Sequence, residues 1–136
     1  MHKDILVIDD NPDIRFLICK ILKEENFVVR SAANFDQAVL EIDKKLPDLA
    51  IIDIKLDKTD KDGIDLLKKI VSKSKIIPVI MISGHATVQV AVEATRLGAY
   101  EFIEKPFSKE KILNYVKRAL ETASLKQEKD IIEKKL

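Results

Sequence analysis

The chain is predicted to fold as an α/β domain, a doubly wound five-stranded parallel sheet of order 2-1-3-4-5, on three observations. Short apolar runs at 5–8, 27–29, 49–52, 76–82 and 100–103 alternate with segments of helical periodicity, the pattern of repeated strand–helix units. Three runs stop at charge: Ile5-Leu6-Val7-Ile8 at Asp9-Asp10, Leu49-Ala50-Ile51-Ile52 at Asp53, and Phe102-Ile103 at Glu104-Lys105-Pro106. Right-handed crossovers leave few arrangements for such a chain, and the common order 2-1-3-4-5 puts a ligand site where strands 1 and 3 reverse the winding. The acids lie at the carboxyl ends of those two strands.

Each helix has its own justification. The first has Asn11 as N-cap, Pro12 in its first turn, and the apolar stripe Ile14, Leu17, Ile18, Ile21 and Leu22. A second follows Asn34 with Phe35, Ala38, Val39, Ile42 and Leu46, and Pro47 closes it. The third begins after Asp62-Gly63 with Ile64, Leu67, Ile70 and Val71. The fourth, about 86–97, has two weakly apolar faces, Val88, Ala91, Val92 and Thr95 on one and Val90, Ala94 and Leu97 on the other. That pattern fits a helix leaving a surface for a partner, and equally a well-buried helix. The last starts near Ser108 and turns Ile112, Val116, Leu120 and Ala123 inward.

No Gly or Pro breaks the chain beyond Ala123, and Leu125, Ile132 and Leu136 are spaced at seven and four residues. Such a segment is either a helical linker pairing with a second copy or a frayed tail. Residues 1–123 are therefore expected to form the domain and 124–136 a helical extension toward an output domain outside this chain.

Bulk properties narrow the function classes. At 136 residues, 46% hydrophobic and 35% charged, the chain suits one ordinary soluble globular domain. No apolar run approaches membrane-spanning length, and Met1-His2-Lys3-Asp4 has no signal-peptide profile. Cys19 stands alone, which excludes an internal disulfide and a cysteine zinc site and fits a reducing cytoplasm. A net charge of +1 leaves no electrostatic footprint for nucleic acid, so any DNA binding is expected elsewhere in the gene product.

The converging charges have a definite chemistry. Packed carboxylates stay ionised only beside a cation, and magnesium suits oxygen ligands that also face a phosphate. Asp53, the lone acid on its strand end, is placed to attack phosphorus and form an aspartyl phosphate. The metal and Lys105 would neutralise the transferring group. Ser83 ends the apolar run Val79-Ile80-Met81-Ile82 and would bring a hydroxyl to the same rim, with Gly84 leaving the approach open. Singly, a strand-end Asp is usually a turn or cap residue and a Lys a solvated charge. Asp9, Asp10, Asp53, Ser83 and Lys105 at the ends of successive strands together point to function.

These residues carry a resemblance. Over roughly residues 4–122 the chain resembles the receiver domains of bacterial two-component response regulators, which have a flavodoxin-like, CheY-like fold. The matching stretches are Val7-Ile8-Asp9-Asp10-Asn11, Ile52-Asp53-Ile54, Asp62-Gly63-Ile64-Asp65-Leu66-Leu67, Ile82-Ser83-Gly84-His85-Ala86, and Gly98-Ala99-Tyr100 through Lys105-Pro106-Phe107. The resemblance implies that Asp53 accepts a phosphoryl group from a sensor histidine kinase, with Mg2+ held by Asp10, Asp53 and the carbonyl of Lys55, and by Asp9 through water. It further implies that Lys105 and Ser83 contact the phosphoryl oxygens, and that the Lys105-Pro106 bond is often cis. Ser83 and Phe102 would form the switch, reshaping the surface of helix 4, strand 5 and helix 5 for homodimerisation. Phe102 lacks a hydroxyl, so it can report by packing alone, and plain core filling is the competing role. Lys55 and His85 would tune the lifetime of the phosphate.

One departure stands out. The family commonly runs from the acceptor through Met-Pro to an Asp-Gly seven and eight residues on. Here Asp62 and Gly63 lie nine and ten residues after Asp53, and Asp57 stands where Pro is usual. The longer loop looks like that of NtrX-type receivers, which precede an ATPase domain and a DNA-binding domain in sigma-54-dependent transcription activators. The stretch Ser83-Gly84-His85-Ala86-Thr87 points the same way. A calcium loop is excluded, because an EF-hand register through Gly63 starts at Lys58 and puts Lys69 where Glu belongs. Two other function classes compete: a magnesium-dependent phosphohydrolase passing through an aspartyl phosphate, which lacks an evident acid/base near Asp53, and a degenerate receiver that only binds proteins.

Overall fold

The computed structural model describes residues 2–56, 60–84 and 87–135. Strands β1 (Asp4–Ile8), β2 (Val28–Ala32), β3 (Leu49–Asp53), β4 (Val79–Ser83) and β5 (Glu101–Glu104) alternate with helices α1 (Pro12–Glu24), α2 (Phe35–Lys44), α3 (Asp60–Lys73), α4 (Val88–Arg96) and α5 (Lys109–Lys135). All neighbouring strands pair in parallel, in the order β2-β1-β3-β4-β5. The doubly wound arrangement expected from the apolar runs is the one observed.

Strand alternation divides the core into two layers. Leu6, Ile8, Ala50, Ile52 and Met81 face one side, where α2, α3 and α4 pack with Ala38, Ile42, Leu67, Ile70 and Ala94. Ile5, Val7, Ile51, Ile80 and Ile82 face the other, against Ile18 and Leu22 of α1 and Ile112 and Val116 of α5. The central strands β1, β3 and β4 are buried along their whole length, which is why they read as continuous apolar runs.

The amino edge of the sheet is tied by one guanidinium. Arg30 on β2 forms an ion pair with Asp4 at 3.0 Å and donates to the Glu41 and Lys45 carbonyls, both at 2.8 Å, capping the end of α2. Asp48 closes the corner by accepting from the Asp4 N–H at 2.7 Å.

Local signals worked well at helix starts. The Asn11 side chain accepts from Asp13 N and Ile14 N, that of Asn34 from Gln37 N, and the Ser108 hydroxyl from Lys111 N. Thr87, whose Oγ1 accepts from Val90 N, caps α4. Strand β4 begins at Val79 rather than residue 76, after Pro78, which has no N–H to give a ladder. On α4 the face with Ala94, Val90 and Leu97 covers the core, whereas Val88 and Val92 remain 80% and 51% exposed. Helix α5 continues unbroken through Lys135, with Leu125 exposed. The Lys105–Pro106 peptide is cis.

Helix α3 starts at Asp60, four residues before the expected Ile64, so Asp62 and Gly63 lie in its first turn. Asp60 and Asp62 suit a helix amino terminus, and nothing before Gly63 forces a later start. Gly63 serves close approach instead. A Cβ there would stand 2.5 Å from the Ile54 carbonyl oxygen and 2.6 Å from that of Asp53, against backbone that cannot swing aside. The Asp-Gly pair thus seats α3 directly on the segment that carries Asp53. Asp57 and the rest of 57–59 lie outside the described residues.

Gly63→Ala is expected to invert the usual helix rule. Alanine is favoured over glycine by about 1 kcal/mol in a free helix, but overpacking at this contact should cost about 1–3 kcal/mol. The midpoint of urea unfolding measures it, and a variant more stable than the parent would refute the close seating of α3.

Candidate functional site

Parallel register builds the site. Ile8 pairs with Ile52, so the residues that follow, Asp9 and Asp53, leave the sheet side by side. Asp9 is fully buried, Asp53 is buried, and Asp10 is exposed at the rim. Each of the three offers a carboxylate oxygen, and these oxygens all lie within 4.8 Å of one another. Lys105, just past β5, reaches back over β4 and places Nζ 3.1 Å from Asp9 Oδ2 and 3.3 Å from Asp53 Oδ2. Its backbone N–H donates to the Ser83 carbonyl at 2.8 Å, fixing the lysine to the neighbouring strand end.

The remaining polar atoms are mostly held. Asp9 Oδ1 accepts from Asn11 N at 2.9 Å, and Asp53 Oδ1 from Lys55 N at 3.2 Å. Arg15 Nη1 on α1 donates to the Asp9 carbonyl at 2.8 Å. Asp9 Oδ2 differs: it is buried, with Lys105 Nζ near but outside hydrogen-bond geometry, and it has no hydrogen-bond partner among the described residues. A buried acceptor left in that state marks a place for a further donor or a cation.

The electrostatics agree. Burial, and then the adjacent Asp9 charge, push the Asp53 carboxyl from the ordinary 3.8 up to about 6, with Lys105 and the Lys55 N–H holding it back. Burial opposes the charge on Lys105, yet Asp53 and Asp9 outweigh it and raise its pKa. One ammonium thus does not fully compensate the converging acids. An oxygen-only cluster with an orphaned buried oxygen suits a hard divalent cation such as magnesium.

Ser83, Gly84 and Lys55 lie at or just past the carboxyl ends of β3 and β4. Ser83 is buried at the end of β4, opposite Glu104. Gly84 is exposed, and among the described residues a Cβ there would meet nothing nearer than Lys105 Cδ at 3.9 Å. Lys55 contributes its backbone N–H to Asp53 and is itself exposed. Half-buried Phe102 packs on the core and lines a surface cavity of about 510 Å³ with Thr87, Val88, Ala91 and Val92 of α4. His85 lies outside the described residues. Sequence reasoning missed Arg15, because a charged residue between stripe positions reads as solvent-facing. Its six-residue offset from Asp9 signals a contact only once the helix is known to turn back over the strand end.

The family model described as response regulator receiver domain matches residues 5–117. The nitrogen assimilation regulatory protein NtrX of Azorhizobium caulinodans is 43% identical over 128 residues, which cover 94% of this chain and 28% of that protein. The chain thus spans about a quarter of the length of the curated relatives it matches. The crystal structure of the receiver domain of NtrX from Brucella abortus is similar with a TM-score of 0.81 and 44% identity, over 88% of this chain and 99% of that one. A solution structure of the beryllofluoride-activated NtrC4 receiver domain dimer matches with a TM-score of 0.81 and 35% identity, over 88% and 98% of the two chains.

The raised Asp53 pKa gives a signed pH dependence. The folded state holds the Asp53 proton more tightly than the unfolded chain, so its stability contribution is full below 3.8 and is lost as pH rises through about 6. Without divalent cations, Asp53→Asn should therefore gain stability over the parent on going from about pH 4 to about pH 7.5. Thermal melts across that range measure the gap. A gap that does not widen with pH would contradict the crowding of Asp53 by burial and Asp9.

Proposed function

This chain belongs to the response regulator receiver domain family, and from that premise we propose that it is the phosphorylation-controlled switch of an NtrX-type transcription regulator, with Asp53 as phosphoryl acceptor. The observation that carries this reading is the ammonium shared between two buried acids, Lys105 Nζ at 3.1 Å from Asp9 and 3.3 Å from Asp53. It holds positive charge where a transferring phosphoryl group would need it.

In the step proposed, an Asp53 carboxylate oxygen attacks the phosphorus of a phosphohistidine on a sensor histidine kinase. The new O–P bond forms as the P–N bond breaks, and the electron pair leaves with the imidazole. Magnesium, held by Asp10, Asp53 and the Lys55 carbonyl and by Asp9 through water, would neutralise the phosphoryl oxygens. Lys105 and the Ser83 hydroxyl contact those oxygens from the β4–β5 side. At neutral pH Asp53 is mostly ionised despite its raised pKa, so the nucleophile is ready. Lys55 and His85 tune how long the aspartyl phosphate lasts, and hydrolysis at this site is the chain's own reset.

The signal leaves through Phe102. Its ring bridges the core and the α4 cavity, so a shift of Ser83 toward the phosphate alters the packing under Val88 and Val92. The face of α4, β5 and α5 then pairs with a second copy of the chain. Residues 1–123 form the receiver, and 124–136 lead toward ATPase and DNA-binding domains, so nucleic acid is contacted elsewhere in the cytoplasmic protein. The near-neutral charge supports that division.

Incubation with Mg2+ and acetyl phosphate should add the mass of one phosphoryl group to the parent and nothing to Asp53→Asn. Gel filtration should show the labelled parent moving toward dimer. Val92→Asp should keep the mass gain and lose the shift. An unchanged parent mass, with the protein folded, would sink the acceptor assignment, and a dimer shift retained in Val92→Asp would sink the α4 face.

A further inference from the structure

We propose that Arg15 is a positioning residue for the cation site, holding the Asp9–Asp10 peptide so that both carboxylates address one ion; this rests on the cation-site reading above. Asp9 is fixed at almost every polar atom. Its N–H donates to the Ala32 carbonyl at 3.2 Å, its Oδ1 accepts from Asn11 N at 2.9 Å, and Lys105 Nζ stands 3.1 Å from Oδ2. The carbonyl is different, because β1 ends at Ile8 and the pairing of β1 with β3 stops there. Arg15, in the first turn of α1, supplies the missing donor at 2.8 Å.

That carbonyl belongs to the peptide unit joining Asp9 to Asp10. The unit is planar, so fixing its oxygen fixes the direction in which the Asp10 Cα leaves the strand. Asp10 is exposed, without the packing that immobilises Asp9, yet it offers an oxygen within 4.8 Å of those of Asp9 and Asp53. The guanidinium therefore acts through the backbone on a carboxylate beyond it. Its charge works against its role, since a cation near a cation site weakens binding by repulsion. The sign of the effect on removal separates the two contributions.

Magnesium titration by calorimetry on the full chain supplies the test. Arg15→Ala and Arg15→Met, the second keeping the apolar stem, should each bind Mg2+ about tenfold more weakly than the parent. Arg15→Lys, which retains a donor, should recover most of that loss. Acetyl phosphate labelling of the Ala and Met variants should be slow at limiting Mg2+ and return to the parent rate at saturation, which general misfolding would not produce. Equal or tighter Mg2+ binding in the Ala and Met variants would overturn the inference, as would a rate deficit that persists at saturation. A parent that binds no Mg2+ would overturn the underlying cation-site reading itself.

Discussion

Two carboxylates that cannot relax apart organise this molecule. Parallel pairing in strict register delivers Asp9 and Asp53 to the same level of one sheet edge, and burial keeps water from screening them. Lys105 is pinned by the Ser83 carbonyl so that its ammonium meets both. With Asp10 at the rim, three carboxylates converge on an edge where Lys105 is the ammonium that bridges two of them. The lysine makes the fold tolerable without a cation, and the deficit leaves the edge receptive to one.

The opposite edge uses the same residue types to the contrary end. There Arg30 meets Asp4 in a two-point pair and also satisfies the Glu41 and Lys45 carbonyls at the end of α2, while Asp48 takes the Asp4 N–H. The guanidinium also meets the Glu41 carboxylate at 3.2 Å, so each of its three nitrogens is engaged. Satisfied polar groups hold the sheet at its amino edge, and an orphaned buried oxygen, Asp9 Oδ2, marks its carboxyl edge.

How much was legible beforehand follows from the range of each interaction. Strand count, sheet order and the acids at strand ends come from local runs and a restrictive topology, and they match the structure. The caps at Asn11, Asn34 and Ser108 depend on neighbours within three residues and were equally plain. The apolar stripe from Ile64 marks α3 only after Gly63, whereas the helix starts at Asp60 and Gly63 is constrained by contact with the backbone of Asp53 and Ile54. The Arg30 clasp joins residues 26 apart, and nothing in an edge-strand arginine announces it. Arg15 was hidden for a similar reason, since its partner is a main-chain oxygen and main-chain oxygens are the same in every sequence.

The unbroken α5 has a mechanical consequence. Its 27 residues make a rod about 40 Å long. Ile112, Leu113, Val116 and Ala119 embed the first part in the core, and Leu125 is already exposed. The stretch past Ala123 is a lever of about 18 Å whose fulcrum is the domain itself. A tilt of about 10° at the buried half would carry the far end through about 3 Å. A helix without a hinge converts changes of angle in the core into displacement outside it.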